Sequence, residues 1–98
     1  MESTELAYLS VSGASRVNSR IPLERHKETR LGRGVDCEVL VDDPRCSRVH
    51  AVIFYREQGW WLRDYDSTNG TFVNDQKVDE VQLFDGNVVQ IGRVKIQF

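Results

Sequence analysis

Ninety-eight residues with 40% hydrophobic and 29% charged side chains suit one folded domain, 1–98, with its own core, and exclude both a disordered chain and two separate cores. The net charge of −2 excludes a nucleic-acid binder that works by broad phosphate neutralisation, and neither half of the chain is strongly basic. No apolar run approaches the ~18 residues of a membrane span, and M-E-S-T-E-L-A-Y lacks the basic start and apolar stretch of a signal peptide. The expectation is a cytoplasmic protein, nuclear if eukaryotic, that contacts neither nucleic acid nor membrane.

In chain order, Leu6 to Val11 alternates as a first strand, and Gly13 to Ser19 is a polar connection. Ile21 to Leu23 and Glu28 to Leu31 follow as short strands, then Cys37 to Val41, closed by the turn signal Asp42-Asp43-Pro44. Ala51 to Arg56 and Trp60 to Asp64 read as a hairpin turning at Gln58-Gly59, with aromatic cross-strand pairs. If that second strand alternates, Trp60 and Trp61 cannot both face the core, so one is exposed or covered by a loop. Thr71 to Val73, a turn at Asn74-Asp75-Gln76, Lys77-Val78, Leu83, a turn at Asp85-Gly86-Asn87, Val88 to Ile91 and Val94 to Phe98 complete the set. No segment offers capped helical periodicity. Many short strands with turn signals every few residues predict an all-β protein, an antiparallel sandwich.

Small hydroxyl residues, an Asn-Gly turn, arginines and a histidine collect between Arg45 and Asn74. Hydroxyls, turn amides and guanidinium groups on loops supply what an anion-binding surface needs, because each donates hydrogen bonds and the guanidinium carries fixed charge. Cys37 and Cys46 could be counted with His26 and His50 as metal ligands. They lack any paired C-x-x-C or H-x-x-x-H spacing, so the expectation is no metal, no cofactor and reduced, buried thiols.

Four pieces carry a family resemblance: G-R at 32–33, S-R-V-H at 47–50, S-T-N-G-T-F-V-N at 67–74, and L-F-D-G-N-V-V-Q-I-G at 83–92. In this order and spacing, from about Leu6 to Phe98, the chain resembles the forkhead-associated (FHA) domain. The resemblance implies a β-sandwich of about eleven strands whose loops at one end bind a phosphothreonine peptide without catalysis. Carried over by position, Arg33 is the phosphate-binding arginine, Ser47 gives its hydroxyl to the phosphate and Arg48 holds the adjoining contact. Thr68 lies beside the phosphothreonine and Asn69 holds the peptide main chain. In this family the third residue after the phosphothreonine commonly discriminates, and Arg45 stands on the loop that reads it. Asp75 and Asn87 depart from the family pattern at turn positions only. The implied partner is a phosphothreonine-containing substrate of a Ser/Thr kinase, bound by a monomer.

Other readings stand beside these. Arg45 can instead pair with Asp42 or Asp43. Ser67 and Thr68 can cap the Asn69-Gly70 turn through backbone bonds, and for Ser67 that structural role is expected. Gly32 and Gly70 serve a positive φ or a close approach. His50, between Val49 and Ala51, reads as a half-buried histidine whose ring ties two loops together. Two further functions remain open: an FHA-like domain that binds a partner without phosphate, and a hydrolase using Ser47 with His50. The hydrolase needs a serine–imidazole contact that residues three apart at a strand entrance disfavour.

Overall fold

The computed structural model describes residues 7–12 and 19–98; Leu6 and positions 13–18 of the polar connection lie outside the described residues. Among the described residues eleven strands follow one another: β1 (Ala7–Ser12), β2 (Ser19–Leu23), β3 (Thr29–Gly32), β4 (Val39–Leu40), β5 (Ala51–Arg56), β6 (Gly59–Asp64), β7 (Thr71–Val73), β8 (Gln76–Val78), β9 (Glu80–Leu83), β10 (Val88–Ile91) and β11 (Val94–Gln97). They form a sandwich of two sheets, ordered β2-β1-β11-β10-β7-β8 and β4-β3-β5-β6-β9. Among the described residues there is no helix, and so none long and apolar enough to cross a membrane.

Alternation sets the inward face. From the six-stranded sheet Leu9, Val11, Val73, Val89, Ile91, Val94 and Ile96 meet Leu31, Ala51, Ile53, Leu62 and Leu83 of the other, all buried. These β-branched and branched side chains suit a pleated, buried surface. Their loss of solvent contact is the main term holding the sheets together, at about 25 cal/mol per Å² of apolar area.

Trp60 and Trp61 separate as alternation requires. Trp60 packs against the core, and its ring meets that of its cross-strand partner Tyr55 edge-on at 5.1 Å. Trp61 lies on the outer face, covered by the Arg56 guanidinium 4.4 Å above its ring, while its Nε1 donates to the Arg56 carbonyl. The cover is thus a side chain of the paired strand.

Three local expectations need correction. The strand expected from Cys37 to Val41 shrinks to Val39–Leu40 and runs parallel to β3, the one parallel pairing among the described residues. Cys37 N donates to the Gly34 carbonyl, which curls the chain into a turn and withdraws Cys37 and Glu38 from the ladder. The hairpin after β5 turns on Glu57-Gln58, with φ of 54° and 64°, and Gly59 begins β6. The next hairpin turns on Asn74-Asp75, with φ of 49° and 71°, so that Gln76 already pairs with Val73. Two successive positive-φ residues match the right-handed twist of flanking strands. That geometric match outweighs the cost of placing side chains there.

Candidate functional site

Three loops converge at one end of the sandwich: 33–38 after β3, 41–50 before β5 and 65–70 after β6. Backbone bonds bind them together. Arg33 N donates to Ser47 O at 3.0 Å, Gly34 N to Arg48 O at 2.9 Å, and Tyr65 N to His50 O at 2.9 Å. Gly32 permits the first contact, since a Cβ there would sit 2.8 Å from the Arg48 carbonyl carbon. Glycine is needed here for close approach.

His50 is fully buried, a correction to the half-buried position expected. Its Nδ1 accepts from Ser47 N at 3.1 Å and its Nε2 faces Gly70 O at 2.8 Å. Because Nδ1 accepts, the hydrogen resides on Nε2, which donates to Gly70. The ring joins the second loop to the third, as expected, and both nitrogens are engaged by backbone. It therefore has none to spare as a base for the Ser47 hydroxyl.

Asp64 organises the third loop, a role the sequence reading missed. Its Oδ1 accepts from Ser67 Oγ at 2.5 Å and Thr71 Oγ1 at 2.6 Å, and its Oδ2 accepts from Ser67 N at 3.0 Å. Burial pushes its carboxyl upward, but the Ser67 and Thr71 hydroxyls, the Ser67 amide and the nearby His50 ring outweigh that and leave it below the usual range. Ser67 in turn accepts from Gly70 N at 3.0 Å. Ser67 thus has the structural role expected of it. The Asp-x-x-Ser spacing at the end of β6 was the available signal, because such residues bond to backbone just downstream.

On this frame sit the residues expected to bind. Ser47 Oγ accepts from Thr68 N at 3.4 Å, joining the S-R-V-H and S-T-N-G motifs. Asn69 Nδ2 donates to the Arg45 carbonyl at 2.7 Å. Arg33 is exposed, and its Nε is anchored on the Cys46 carbonyl at 3.0 Å, which aims the rest of its guanidinium away from that carbonyl. Arg48 and Thr68 are exposed and Ser47 is half-buried. These five residues thus lie on the three loops joined at this end of the sandwich.

Arg45 is differently placed. Its guanidinium lies against buried Asp43, with Nε to Oδ1 and Nη2 to Oδ2 both at 3.3 Å. Asp43 also accepts from Arg45 N at 2.9 Å and from Arg93 N at 3.0 Å. The Arg45 amide and guanidinium and the Arg93 amide hold its carboxyl down at about 2. Cys37 on the first loop and Cys46 on the second are free and buried. Cys37 Sγ donates to Arg48 O, and burial pushes the Cys46 thiol up to about 11.

The family model of the FHA domain matches residues 29–92. The chain is 35% identical over 92 residues to the glycogen accumulation regulator GarA of Mycolicibacterium smegmatis, covering 94% of this chain and 58% of GarA. It superposes, with a TM-score of 0.80 and 32% identity, on an FHA domain solved in an analysis of phosphothreonine-dependent FHA interactions, covering 93% of this chain and 94% of that one. The FhaA FHA domain, solved in complex with the intracellular domain of Rv3910, matches with the same TM-score and identity over 91% of this chain and 97% of that one. The chain belongs to the FHA-domain family. It is with that family a β-sandwich module of protein interaction and phosphopeptide binding. It spans between 8% and 58% of the length of the first curated relatives it matches.

Proposed function

We propose that this chain is a single-domain phosphothreonine reader of the cytoplasm, or the nucleus of a eukaryote, which docks the phosphorylated substrate of a Ser/Thr kinase and performs no chemistry on it. What supports the reading is that Arg33, Ser47, Arg48, Thr68 and Asn69 lie on three loops tied together by backbone bonds and by the His50 and Asp64 side chains. A phosphorylated hydroxyl carries about −1.5 to −2 charge with three acceptor oxygens, so it calls for one or two arginines plus neutral donors. Arg33 and Arg48 supply the charge, Ser47 and Thr68 the hydroxyls, and Asn69 a donor for peptide main chain. Two cations suffice locally, which is compatible with a net charge of −2.

Phosphothreonine is preferred to phosphoserine in this reading because the Thr68-Asn69 loop offers a wall for the extra methyl. Burying one methyl contributes about 0.8 kcal/mol, and the stiffer χ1 of threonine adds to it. Matched phosphothreonine and phosphoserine peptides titrated in a calorimeter test this. A phosphothreonine advantage of about fourfold or more is expected, and equal affinities would contradict it. Arg45 gives a modest preference for Asp or Glu at the third position after the phosphothreonine, since an exposed pair contributes only about 0.2–1 kcal/mol.

A further inference from the structure

Asp43 is the most heavily engaged side chain near these loops that the reading above leaves without a part. Its side chain is only 6% exposed, whereas that of Arg45 is 50% exposed. One carboxylate thereby gathers two loops: its Oδ1 takes the Arg45 amide and Nε, and its Oδ2 takes Arg45 Nη2 and the Arg93 amide. The β10–β11 turn comes this close because Gly92 has φ of 60° and no side chain; a Cβ there would lie 2.6 Å from Asp43 Oδ2. Between the two loops runs an open groove lined by Asp42, Asp43, Pro44, Arg45, Arg93 and Val94. The groove adjoins the third loop, since the Arg45 carbonyl accepts from Asn69 Nδ2.

We infer that Asp43 is a positioning residue for peptide selectivity: it holds the Arg45 guanidinium as one half of a compensated pair beside this groove, and so limits how strongly an acidic residue after the phosphothreonine is preferred. The inference rests on the phosphothreonine-reading site proposed above. A peptide carboxylate that approaches Arg45 meets Asp43 close behind the guanidinium, so attraction and repulsion largely offset one another. Freed of Asp43, the same arginine would present an uncompensated charge. Freed of Arg45, Asp43 would present the opposite one. The pair therefore acts as a balance, and removing either side tips it.

Fluorescence anisotropy with phosphothreonine peptides that differ only in Asp, Ala or Lys at the third following position tests the inference, alongside their unphosphorylated forms. The wild type should favour Asp over Lys by less than about tenfold. Asp43→Asn, which keeps an oxygen for one amide, should widen that ratio at least about threefold. Arg45→Gln should invert it toward Lys, and the double variant should flatten it. An unchanged ratio in a folded Asp43→Asn protein overturns the inference. If that variant does not fold, Arg45→Gln decides alone, because its side chain is half exposed: a preference that flattens without inverting shows Arg45 to be an independent reader and overturns the balance. Wild-type binding that ignores phosphorylation overturns the site reading itself, separately from the part given to Asp43.

Discussion

His50 shows how one buried side chain can join two loops through backbone bonds alone. Its ring joins Ser47 N to Gly70 O from a fully buried position, so His50→Ala leaves a cavity and two backbone groups without partners. We predict a loss of about 2–4 kcal/mol, read as a lower midpoint in thermal melts, with binding weakened through the loops; an unchanged midpoint with lost binding would place the ring in direct contact with ligand. The local sequence disclosed this bridging role but not the depth of burial, because burial depends on the third loop folding over from twenty residues downstream. Asp64 and Asp43 were harder to read for the same reason. A carboxylate near a turn looks solvated in sequence: only the fold reveals that Ser67 and Thr71 fill the acceptors of Asp64, and to the Arg45 pairing that the sequence offered for Asp43 it adds the Arg93 amide.

At the scale of elements, two strands were legible to the residue: β5 spans the expected Ala51–Arg56, and β10 the expected Val88–Ile91. Where hydrogen-bond partners compete with the ladder, legibility failed. The Cys37 end of β4 is drawn into a turn by Gly34, although C-E-V-L-V is as β-branched as its neighbours. The first hairpin turn slipped by one residue because Glu57 and Gln58, not Gly59, carry the positive φ there. The 74–75 turn carries a prediction. Asn74 repays its position, since its Oδ1 accepts from Val88 N at 2.9 Å, but Asp75 makes no such bond among the described residues. Asp75→Gly should therefore stabilise the domain by about 0.5–1 kcal/mol by relieving the left-handed backbone. Urea denaturation checks it, and a destabilised variant would mean that the Asp75 side chain has a role of its own.

For the whole molecule, the carboxylates set the response to acid. Asp43 falls from an ordinary 3.8 to about 2. Asp64 and Glu80 are also lowered, Asp64 by hydroxyl donors that overcome its burial and Glu80 by bonds from Arg56 and Arg63. A folded-state value below the unfolded one contributes stability above the unfolded value, which is lost as pH falls through the folded one. Stability should therefore be flat from about pH 5 to about pH 8 and decline from about 4.5 toward 2. Thermal midpoints across that range check this, and a midpoint constant down to pH 2.5 would contradict it.

The loops are held by bonds that do not involve the end of the Arg33 side chain, so on the proposed reading function and folding are separable at that residue. Its side chain is exposed and makes one bond, to the Cys46 carbonyl, whose loss should cost only about 0.5–1.5 kcal/mol. The most direct measurement is isothermal calorimetry of wild type and Arg33→Ala against a phosphothreonine peptide selected from an oriented library, with its unphosphorylated twin as control. Wild type should bind the phosphorylated peptide alone, and an Arg33→Ala protein that still melts cooperatively should show no detectable binding. Near wild-type affinity in that variant, or equal affinity for both peptides, would contradict the proposed reading.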